Sequence, residues 1–418
     1  MNAIGIICEY NPFHMGHAYQ ITALKEKHPD AVIICVLSGA FVQRGEPALL
    51  SKHDRAAMAL SAGADLVLEL PYPWSCAPAE LFARGGVSIL YQMGADGICF
   101  GTEGYTLAAI EVAAKRIGEK EFDDRMQKAL SADDARRKGY PRIREEVFEA
   151  LLGKETTALL RTPNNALALS YLCESNTLAG AFAREPLTPI AIARIGAAHD
   201  APQTSEAETL SASALRALIK EENAEAACAY MPQSAKEILQ GAIKEGRILA
   251  GDPSNLILQK YRTADPSMLS AYAGLGGGMA ERICRAAQSA TTLDALYALI
   301  AARQYTSAHL RRTVWHGFFE TRLSDMQALP PYTAVLASST RGRHYLRAWE
   351  KAQRGQTESD FCVLSRPAKA KRCGDTVKNA HARAMQAEAL QGMLFATPLS
   401  QAALYTPPPS QIKTQEVP

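Results

Sequence analysis

Residues 3–17 read Ala3-Ile4-Gly5-Ile6-Ile7-Cys8-Glu9-Tyr10-Asn11-Pro12-Phe13-His14-Met15-Gly16-His17. The apolar run at the start of this stretch predicts a buried strand, and residues 18–27 have the pattern of a helix. The alternation continues, with strands predicted at 31–37, 65–70 and 97–100 and helices at 55–62 and 79–93. Continuous apolar strands separated by helices favour a parallel sheet covered on both faces. The predicted fold class is therefore α/β, a Rossmann-like domain with right-handed crossovers.

The pattern changes twice along the rest of the chain. Residues at about 105–160 are charged and helical, which predicts an insertion, and the alternation then resumes at 165–174, 189–194 and 213–221. Later segments have the apolar spacing of helices, followed by two short strand-like runs at 332–337 and 360–364. We therefore expect a nucleotidyltransferase-like domain at 1–220, a helical domain at 221–330, a small basic module at 331–405 and a disordered tail at 406–418.

Composition limits the class of protein. The chain has 418 residues, of which 47% are hydrophobic, and a formal net charge of +2, so neither general disorder nor a uniformly basic surface is expected. The nine cysteines form no CxxC pair, which argues against a structural zinc site and fits a reducing compartment. The first apolar run is too short for a signal peptide, and no run is long enough to cross a bilayer. We expect a cytoplasmic protein without a membrane partner.

The turn after the first strand predicts a nucleotide site. Ligands of an open α/β sheet bind where the strands end, and Asn11-Pro12-Phe13 leads from the first strand into a helix. His14 and His17 are three residues apart, so both project from one side of the first turn. The helix start attracts anions, and Gly16 allows close approach to the backbone. Both imidazoles are candidate catalytic groups that would stabilise charge on the α-phosphate and on the leaving pyrophosphate.

A second stretch, residues 38–47, follows the second strand and is long for such a connection. Gln43 and Arg44 within it are candidates for contacts with phosphate or with a substrate carboxylate. Lys52 and Arg55 either add positive charge to the site or lie on a helix surface. The hydroxyls and N–H groups near Ser211, Ser213 and Arg216 are further candidates for the phosphates, because they begin a later helix.

Three further positions end strands or begin a helix next to the expected crevice. Gly101 follows the fourth strand and could present its backbone N–H to a nucleotide, although a glycine after a strand is weak evidence. Asn164 and Asn165 begin a helix, where an asparagine acts either as an N-cap or as a ligand contact. Arg194 ends a later strand and is expected at the same edge of the sheet.

Taken together, these motifs resemble the family of tRNA(Met) cytidine acetate ligases. The resemblance covers residues 9–17, 38–47, 100–103, 163–165, 194–197 and 211–216, in order over roughly the first 220 residues, and continues more weakly at 303–306, 311–312 and 331–336. The family usually has Asn where this chain has Ala40. The resemblance implies that acetate attacks the α-phosphate of ATP to give acetyl-adenylate. The acetyl group then moves to N4 of the wobble cytidine of elongator tRNA(Met).

The resemblance also implies which residues contact ATP. They are Ile7, Cys8, Glu9, Tyr10, Asn11, Pro12, Phe13, His14, Met15, Gly16, His17, Ala18, Tyr19, Gln20, Gly101, Asn164 or Asn165, and Arg194. We expect Mg²⁺ to accompany ATP by bridging phosphate oxygens, although the sequence identifies no protein ligand for a metal. The oligomeric state and the general base for acetyl transfer stay open.

The charge distribution independently favours an RNA partner. Residues 341–383 contain eleven Lys or Arg against four Asp or Glu, although the whole chain carries a net charge of only +2. Such a local excess is typical of phosphate-backbone binding, and Tyr345 and Trp349 within it could stack on unpaired bases. A solvated basic face is the alternative. The candidate RNA contacts are Arg311, Arg312, Arg341, Arg343 and Arg347.

Two other functional classes share parts of this pattern. A transferase that adenylylates a small phosphorylated metabolite would also contain the HxGH motif, but it would rarely need a basic helical second half. A non-catalytic, nucleotide-dependent RNA-binding protein would not need His14 and His17.

Overall fold

The computed structural model describes residues 2–132, 138–193, 210–221, 223–353 and 361–400. Its centre is a seven-stranded sheet in the order β7-β6-β1-β2-β5-β8-β9. The strands are β1 (Ala3–Cys8), β2 (Val32–Ser38), β5 (Leu66–Leu70), β6 (Gly97–Thr102), β7 (Thr188–Ala193), β8 (Tyr332–Ser338) and β9 (Cys362–Leu364). A separate hairpin, β3 (Phe41–Val42) with β4 (Glu46–Pro47), follows β2.

The first five strands of the sheet run parallel, as the sequence predicts. Ile4 pairs with Ile33 of β2 on one side and with Gly97 of β6 on the other. β2 and β5 are buried along their whole length, which explains why they are almost entirely apolar, with only Ser38 at the end of β2 and Glu69 within β5 as polar residues. The α/β fold class is confirmed. We call the edge where the parallel strands end the carboxyl edge, and the edge where they begin the amino edge.

The C-terminal strands extend this sheet, which corrects the expectation of a small separate module at 331–405. β8 pairs antiparallel with β5, so that Leu66 faces Ser338, and β9 then pairs parallel with β8. The hydroxyl of Thr333 also donates to the carbonyl of Glu69 at 2.7 Å. Sequence spacing predicted both strands but not their partner, since more than 260 residues separate β8 from β5.

Eighteen α-helices are found in the described residues, and we number them in chain order. Those up to the end of the parallel sheet are α1 (Met15–Lys27), α2 (Lys52–Ser61), α3 (Ala79–Gln92), α4 (Leu107–Ile117), α5 (Lys120–Leu130), α6 (Tyr140–Thr157) and α7 (Pro163–Ala181). Those after it are α8 (Ala212–Lys220), α9 (Ala224–Cys228), α10 (Gln233–Lys244), α11 (Ser254–Thr263), α12 (Pro266–Leu269), α13 (Met279–Ser289), α14 (Leu293–Ile300), α15 (Ser307–Phe318), α16 (Leu323–Gln327), α17 (Thr340–Gln353) and α18 (Asp375–Met393).

Three apolar cores hold these elements together. One face of the sheet is covered by α3, α4, α7 and α17, and the other by α1, α2 and α8 to α10. A third core joins helices α11 to α15 to the hairpin, where Phe41 packs against Trp315 with ring centroids 4.9 Å apart. The helical region therefore packs directly on the loop that follows β2. Helices α4 to α6 occupy the predicted insertion, whereas the tail at 406–418 lies outside the described residues.

Candidate active site

A cleft of about 450 Å³ opens at the carboxyl edge of the sheet. Its walls come from the loop after β1, the tip of the β3–β4 hairpin, the ends of β6 and β7, and the first turns of α7 and α8. This is the position expected for a ligand of an open α/β sheet. Several separate sequence segments therefore meet at one place, and each contributes polar atoms.

His14 and His17 form a stacked pair at the start of α1. Their ring centroids lie 3.7 Å apart, and both line the cleft. Nδ1 of His14 accepts from the backbone N–H of Gly16 at 3.1 Å, and Nδ1 of His17 accepts from the N–H of His14 at 3.3 Å. An Nδ1 that accepts a hydrogen bond places the proton of a neutral imidazole on Nε2. The capping arrangement thus sets both rings as Nε2–H donors.

Two neighbouring residues fix the positions of these rings. Tyr10 is fully buried in the left-handed backbone region at φ 47°, and its ring centroid lies 4.8 Å from that of His17. Such a conformation is unusual for a residue with a side chain and is common at functional sites. At Gly16, a Cβ would come within 3.0 Å of Cε1 of His14. Glycine at this position therefore leaves room for the His14 ring as well as for a ligand.

The tip of the hairpin is clamped between the cleft and helix α15. A carboxylate oxygen of Glu9 accepts from the N–H of Gln43 at 2.7 Å, while Arg312 donates to the carbonyl of Gln43 at 2.8 Å. Gly45, at φ 78°, lies so close to α15 that a Cβ would come within 2.6 Å of the backbone nitrogen of Arg312. Burial raises the pKa of Glu9, and the N–H of Gln43 and the charge of Arg44 oppose the shift.

Glu46 holds two arginines from distant parts of the chain. Arg216 of α8 lies 3.0 Å from one carboxylate oxygen, and Arg311 of α15 lies 3.1 Å from the other. Arg216 also donates to the carbonyl of Asn11 at 2.7 Å. The hairpin, the loop after β1 and helices α8 and α15 are therefore connected through one carboxylate.

Arg55 and Lys52 serve the scaffold rather than the cleft. Arg55 is fully buried and donates to the carbonyls of Glu9, Ser38, Gly39 and Leu50, which pins the ends of β1 and β2 together. Burial lowers the pKa of Arg55 to about 10, so it is still protonated at neutral pH. Lys52 forms buried ion pairs with Glu69 at 3.0 Å and Glu388 at 2.7 Å. Burial opposes its charge, but the two carboxylates outweigh this and raise its pKa.

The two asparagines at the start of α7 lie in different environments. Asn164 lines the cleft and donates to the carboxylate of Glu103. Asn165 is fully buried, donates to the carbonyl of Glu103 at 2.8 Å and accepts from its N–H at 3.0 Å. Neither is the N-cap, which is Thr162. Asn164 is thus placed for a ligand contact, whereas Asn165 fixes the backbone that follows β6.

Comparisons with known proteins agree with this arrangement. A family model described as HIGH Nucleotidyl Transferase matches residues 1–400. The tRNA(Met) cytidine acetate ligase of Geobacillus sp. (strain WCH70) is 35% identical over 360 residues, covering 84% of this chain and 87% of the relative. The enzyme of the same name from Bacillus subtilis (strain 168) is 31% identical over 379 residues, covering 88% and 89%.

The chain belongs to the tRNA(Met) cytidine acetate ligase family, within the HIGH nucleotidyl transferases. Its fold is also that of Thermotoga maritima TmcAL, solved with alpha-thio ATP. That structure superposes with a TM-score of 0.85 at 23% identity, over 98% of this chain and 99% of the other.

Most of the residues that the family resemblance implies for ATP contact line the cleft. Five do not: Pro12, Phe13, Met15, Ala18 and Asn165. Phe13 is fully buried in the core, and the side chain of Met15 is 44% exposed. The resemblance implies ATP contacts along the whole of residues 7–20. A helical turn, however, points only some of its side chains to any one side. Arg194 lies outside the described residues.

The predicted phosphate or acetate residues all line the cleft: Gln43, Arg44, Ser211, Ser213 and Arg216. Ser211 is the N-cap of α8, and its hydroxyl accepts from the N–H of Ala214. Ala40, where the family usually has Asn, is buried in the third core and is not part of the lining.

Sequence reasoning missed the apolar wall of the cleft. Leu167 and Tyr171 of α7 lie three and seven residues after Asn164 and therefore share its face of the helix. Phe82, Phe100 and Ile192 complete this wall. The helical spacing after Asn164 was a usable signal, because side chains at these intervals point in the same direction. Such a wall suits a flat aromatic ring, whereas the polar groups suit phosphates.

The predicted RNA-binding residues divide into two groups. Arg311 and Arg312 hold Glu46 and Gln43, so the sequence identified their charge but not their partners within the protein. Arg341, Arg343 and Arg347 lie on α17, away from the cleft.

The prediction that Tyr345 and Trp349, on the same helix, could stack on unpaired bases is wrong. They donate to the carbonyls of Met93 and Gln92 and pack against the core, so they are not positioned to stack on bases.

Among the described residues, no three His, Cys, Asp or Glu side chains come together as a metal-binding group. Likewise, none of the described helices has both the length and the apolar character that a bilayer crossing requires.

Proposed function

We propose that this protein is an ATP-dependent ligase that acetylates N4 of the wobble cytidine of elongator tRNA(Met). In the first step, an oxygen of acetate attacks the α-phosphate of ATP, and the bond to pyrophosphate breaks. In the second, the N4 amine attacks the carbonyl carbon of acetyl-adenylate. AMP leaves, and the amine loses a proton. Family membership supports this activity, and the geometry of the cleft supports the roles proposed below for its residues.

The stacked imidazoles are the observation that carries the proposal. Because Nδ1 of each ring accepts a backbone N–H, the Nε2–H groups are the donors that His14 and His17 offer to an anion. Adenylylation develops charge on the α-phosphate and on the departing pyrophosphate, and fixed donors stabilise such charge without reorganisation. The N-termini of α1 and α8 supply further N–H groups on two sides of the cleft.

The remaining lining fits the other parts of the substrates. The wall containing Leu167, Phe100 and Ile192 suits the adenine ring, and Asn164 provides a polar contact at its edge. Arg44 is exposed at the rim of the cleft and suits the carboxylate of acetate or a phosphate. In this proposal the α-phosphate lies between the histidines and the hairpin tip.

The residues present fit Mg²⁺ only as part of an ATP complex. No described cluster of carboxylates could hold the ion by itself, so Mg²⁺ would be bound by phosphate oxygens and water. Bound in this way, it would neutralise charge on the triphosphate. The protein's own contribution is then the positioning of the triphosphate.

One assay tests the function. Purified protein is incubated with ATP, labelled acetate and bulk tRNA, and incorporation of label into the RNA is measured. Wild-type protein should label tRNA, and His14→Ala and His17→Ala should lower the rate by about a hundredfold or more, the range for loss of a transition-state donor. His28→Ala is the matched control, because His28 is the C-cap at the opposite end of the same helix.

Three outcomes would contradict the proposal. If both histidine variants still incorporate labelled acetate into tRNA at the wild-type rate, the proposed role of the histidines is wrong. Transfer of a nucleotide to a small metabolite without tRNA would identify a different transferase. Binding of ATP and tRNA without turnover would identify a non-catalytic protein. Pyrophosphate release with acetate but without tRNA isolates the first step and separates a defect in activation from one in transfer.

A further inference from the structure

Helix α17 lies along the amino edge of the sheet, opposite the cleft. The N–H of Ser339, just before the helix, donates to the carbonyl of Asp65, the residue before β5. Arg341 donates to the carbonyl of Pro29, in the turn that leads into β2. The hydroxyl of Tyr345 reaches Met93, at the end of α3 just before β6. All three contacts are made with segments that enter parallel strands.

The outward face of α17 carries a row of cations. Arg343, Arg347 and Lys351 are each four residues apart and all exposed, and we call them the α17 stripe. A spacing of four residues separates successive cations by about 6 Å along the helix axis. The guanidinium of Arg343 is oriented by the carbonyl of Ser338 and the hydroxyl of Thr340. The helix contains a single carboxylate, Glu350, at the flank of this row.

The distance between the stripe and the cleft determines what the stripe can contact. β2 has seven residues, and a strand rises about 3.3 Å per residue, so the two edges of the sheet are about 20 Å apart. A nucleotide whose base enters the cleft cannot also lie on α17. Any RNA that contacts both must use a segment well away from the reacting base.

We propose that the α17 stripe binds the sugar–phosphate backbone of tRNA outside the anticodon loop while the wobble base occupies the cleft. The inference rests on the proposed function, because it takes the RNA to be the acetyl acceptor. A row of regularly spaced, exposed cations suits a phosphodiester chain, which is recognised by charge and without sequence.

The chemistry of the helix face favours RNA over a lipid surface. A helix that lies on a membrane inserts large apolar side chains from one face. The apolar residues of α17, including Tyr345 and Trp349, are turned into the protein core, and the outward positions between Arg343 and Lys351 carry His344 and Ala348. The face therefore offers charge without an apolar anchor.

The test measures how one variant binds two different RNAs. The triple variant Arg343→Gln, Arg347→Gln and Lys351→Gln is titrated, without ATP, with full-length tRNA(Met) and with its isolated anticodon stem–loop. For full-length tRNA we expect Kd to rise about tenfold and the slope of log K against log salt to become shallower by about 2, since each lost phosphate contact removes about 0.7 to 0.9. For the stem–loop, Kd should stay at the wild-type value.

A second triple variant controls for the loss of charge. Lys220→Gln, Lys244→Gln and Arg285→Gln removes three exposed cations from helices α8, α10 and α13, and it should bind full-length tRNA more tightly than the stripe variant. Unchanged binding of full-length tRNA by the stripe variant would overturn the proposal. Equal losses of affinity for the two RNAs would also overturn it. So would a wild-type protein that binds phosphatidylserine vesicles but not tRNA. A failure of the proposed function would show separately, as wild-type protein that binds tRNA but incorporates no acetate.

Discussion

Arg216 and Glu46 are joined by an ion pair of 3.0 Å that links helix α8 to the β3–β4 hairpin. Arg216 also donates to the carbonyl of Asn11, so the pair connects the hairpin to the loop that carries the histidines. The other carboxylate oxygen of Glu46 faces Arg311. Glu46 therefore helps to hold the hairpin tip relative to His14, in addition to the contacts that Glu9 and Arg312 make with Gln43.

The first prediction is that Glu46→Gln lowers kcat/KM for ATP about tenfold, because misplacement of a positioning group raises the barrier without removing a catalytic one. The measurement is acetate-dependent pyrophosphate release. Glu174→Gln is the matched control, since Glu174 pairs with Arg84 at 3.3 Å and its side chain is 17% exposed against 24% for Glu46. Equal activity in the two variants would show that the hairpin does not need this charge.

The second prediction concerns Gly16. In Gly16→Ala, the new Cβ would lie 3.0 Å from Cε1 of His14, so the ring would have to shift by a few tenths of an ångström. We expect a loss of at least about tenfold in kcat/KM, because small misplacements of catalytic groups cost orders of magnitude in rate. Gly241→Ala is the comparison. Gly241 lies in helix α10 with no atom within 4 Å of its Cβ position, so alanine should stabilise the protein by about 0.5–1 kcal/mol with full activity.

The sequence alone predicted the parallel half of the fold well because buried strands such as β2 are continuous apolar runs. It could not assign β8 and β9 to the same sheet, since a strand's local pattern is the same whichever sheet it joins. The candidate site was predicted for similar reasons: the carboxyl ends of parallel strands converge, so motifs after β1, β2 and β6 must meet.

The sequence could not show which groups the charged residues contact in the folded protein. Arg312 and Arg343 are both arginines in helices with basic neighbours, yet Arg312 is half-buried and donates to Gln43, whereas Arg343 is exposed. Net charge along a segment is visible in the sequence, but the burial that decides whether a cation serves the scaffold or a ligand arises only from packing. The same holds for Tyr345, whose hydroxyl is used inside the protein.

The third prediction separates the two asparagines of α7. Asn165→Ala removes the donor to the carbonyl of Glu103 and the acceptor for its N–H, both in buried positions. We expect it to lower the free energy of unfolding by about 2 kcal/mol, the cost of leaving buried polar groups unpaired. Asn164→Ala should leave stability within about 0.5 kcal/mol, as for a substitution outside the packed core, and raise the Kd for ATP. Urea unfolding and ATP titration of both variants check this, and the reverse assignment would contradict it.

The fourth prediction concerns Arg55. Arg55→Met would remove one donor from each of four buried carbonyls, those of Glu9, Ser38, Gly39 and Leu50. Among the described residues, only the carbonyl of Leu50 keeps a second side-chain donor, Gln391. We expect a loss of about 3–5 kcal/mol, as for other broken buried networks. Arg55→Lys should restore little of this, because one ammonium cannot reproduce the fork of a guanidinium. Urea unfolding measures both variants. Full recovery by lysine would show that charge, rather than geometry, matters here.

The fifth prediction concerns the dependence of stability on pH. His316 is buried against the carbonyl of Cys76, with its Nε2 2.9 Å from that oxygen. Burial lowers its pKa to about 4, from an ordinary value of 6.5. A histidine whose folded pKa is depressed contributes stability that is complete above the unfolded pKa and is lost as pH falls toward the folded pKa. Between pH 6.5 and 4, the loss from His316 should be about 3 kcal/mol.

The burial of His53, whose pKa is likewise lowered to about 4, adds a similar dependence on pH. His316→Gln keeps a donor for the carbonyl of Cys76 but cannot titrate, so it should remove about half of the acid-induced loss that the two histidines cause. Urea unfolding of wild-type and variant protein at several pH values between about 7 and 4 measures the difference. Parallel curves for the two proteins would contradict the prediction, because they would mean that desolvation does not disfavour the charged form of His316 in the folded state.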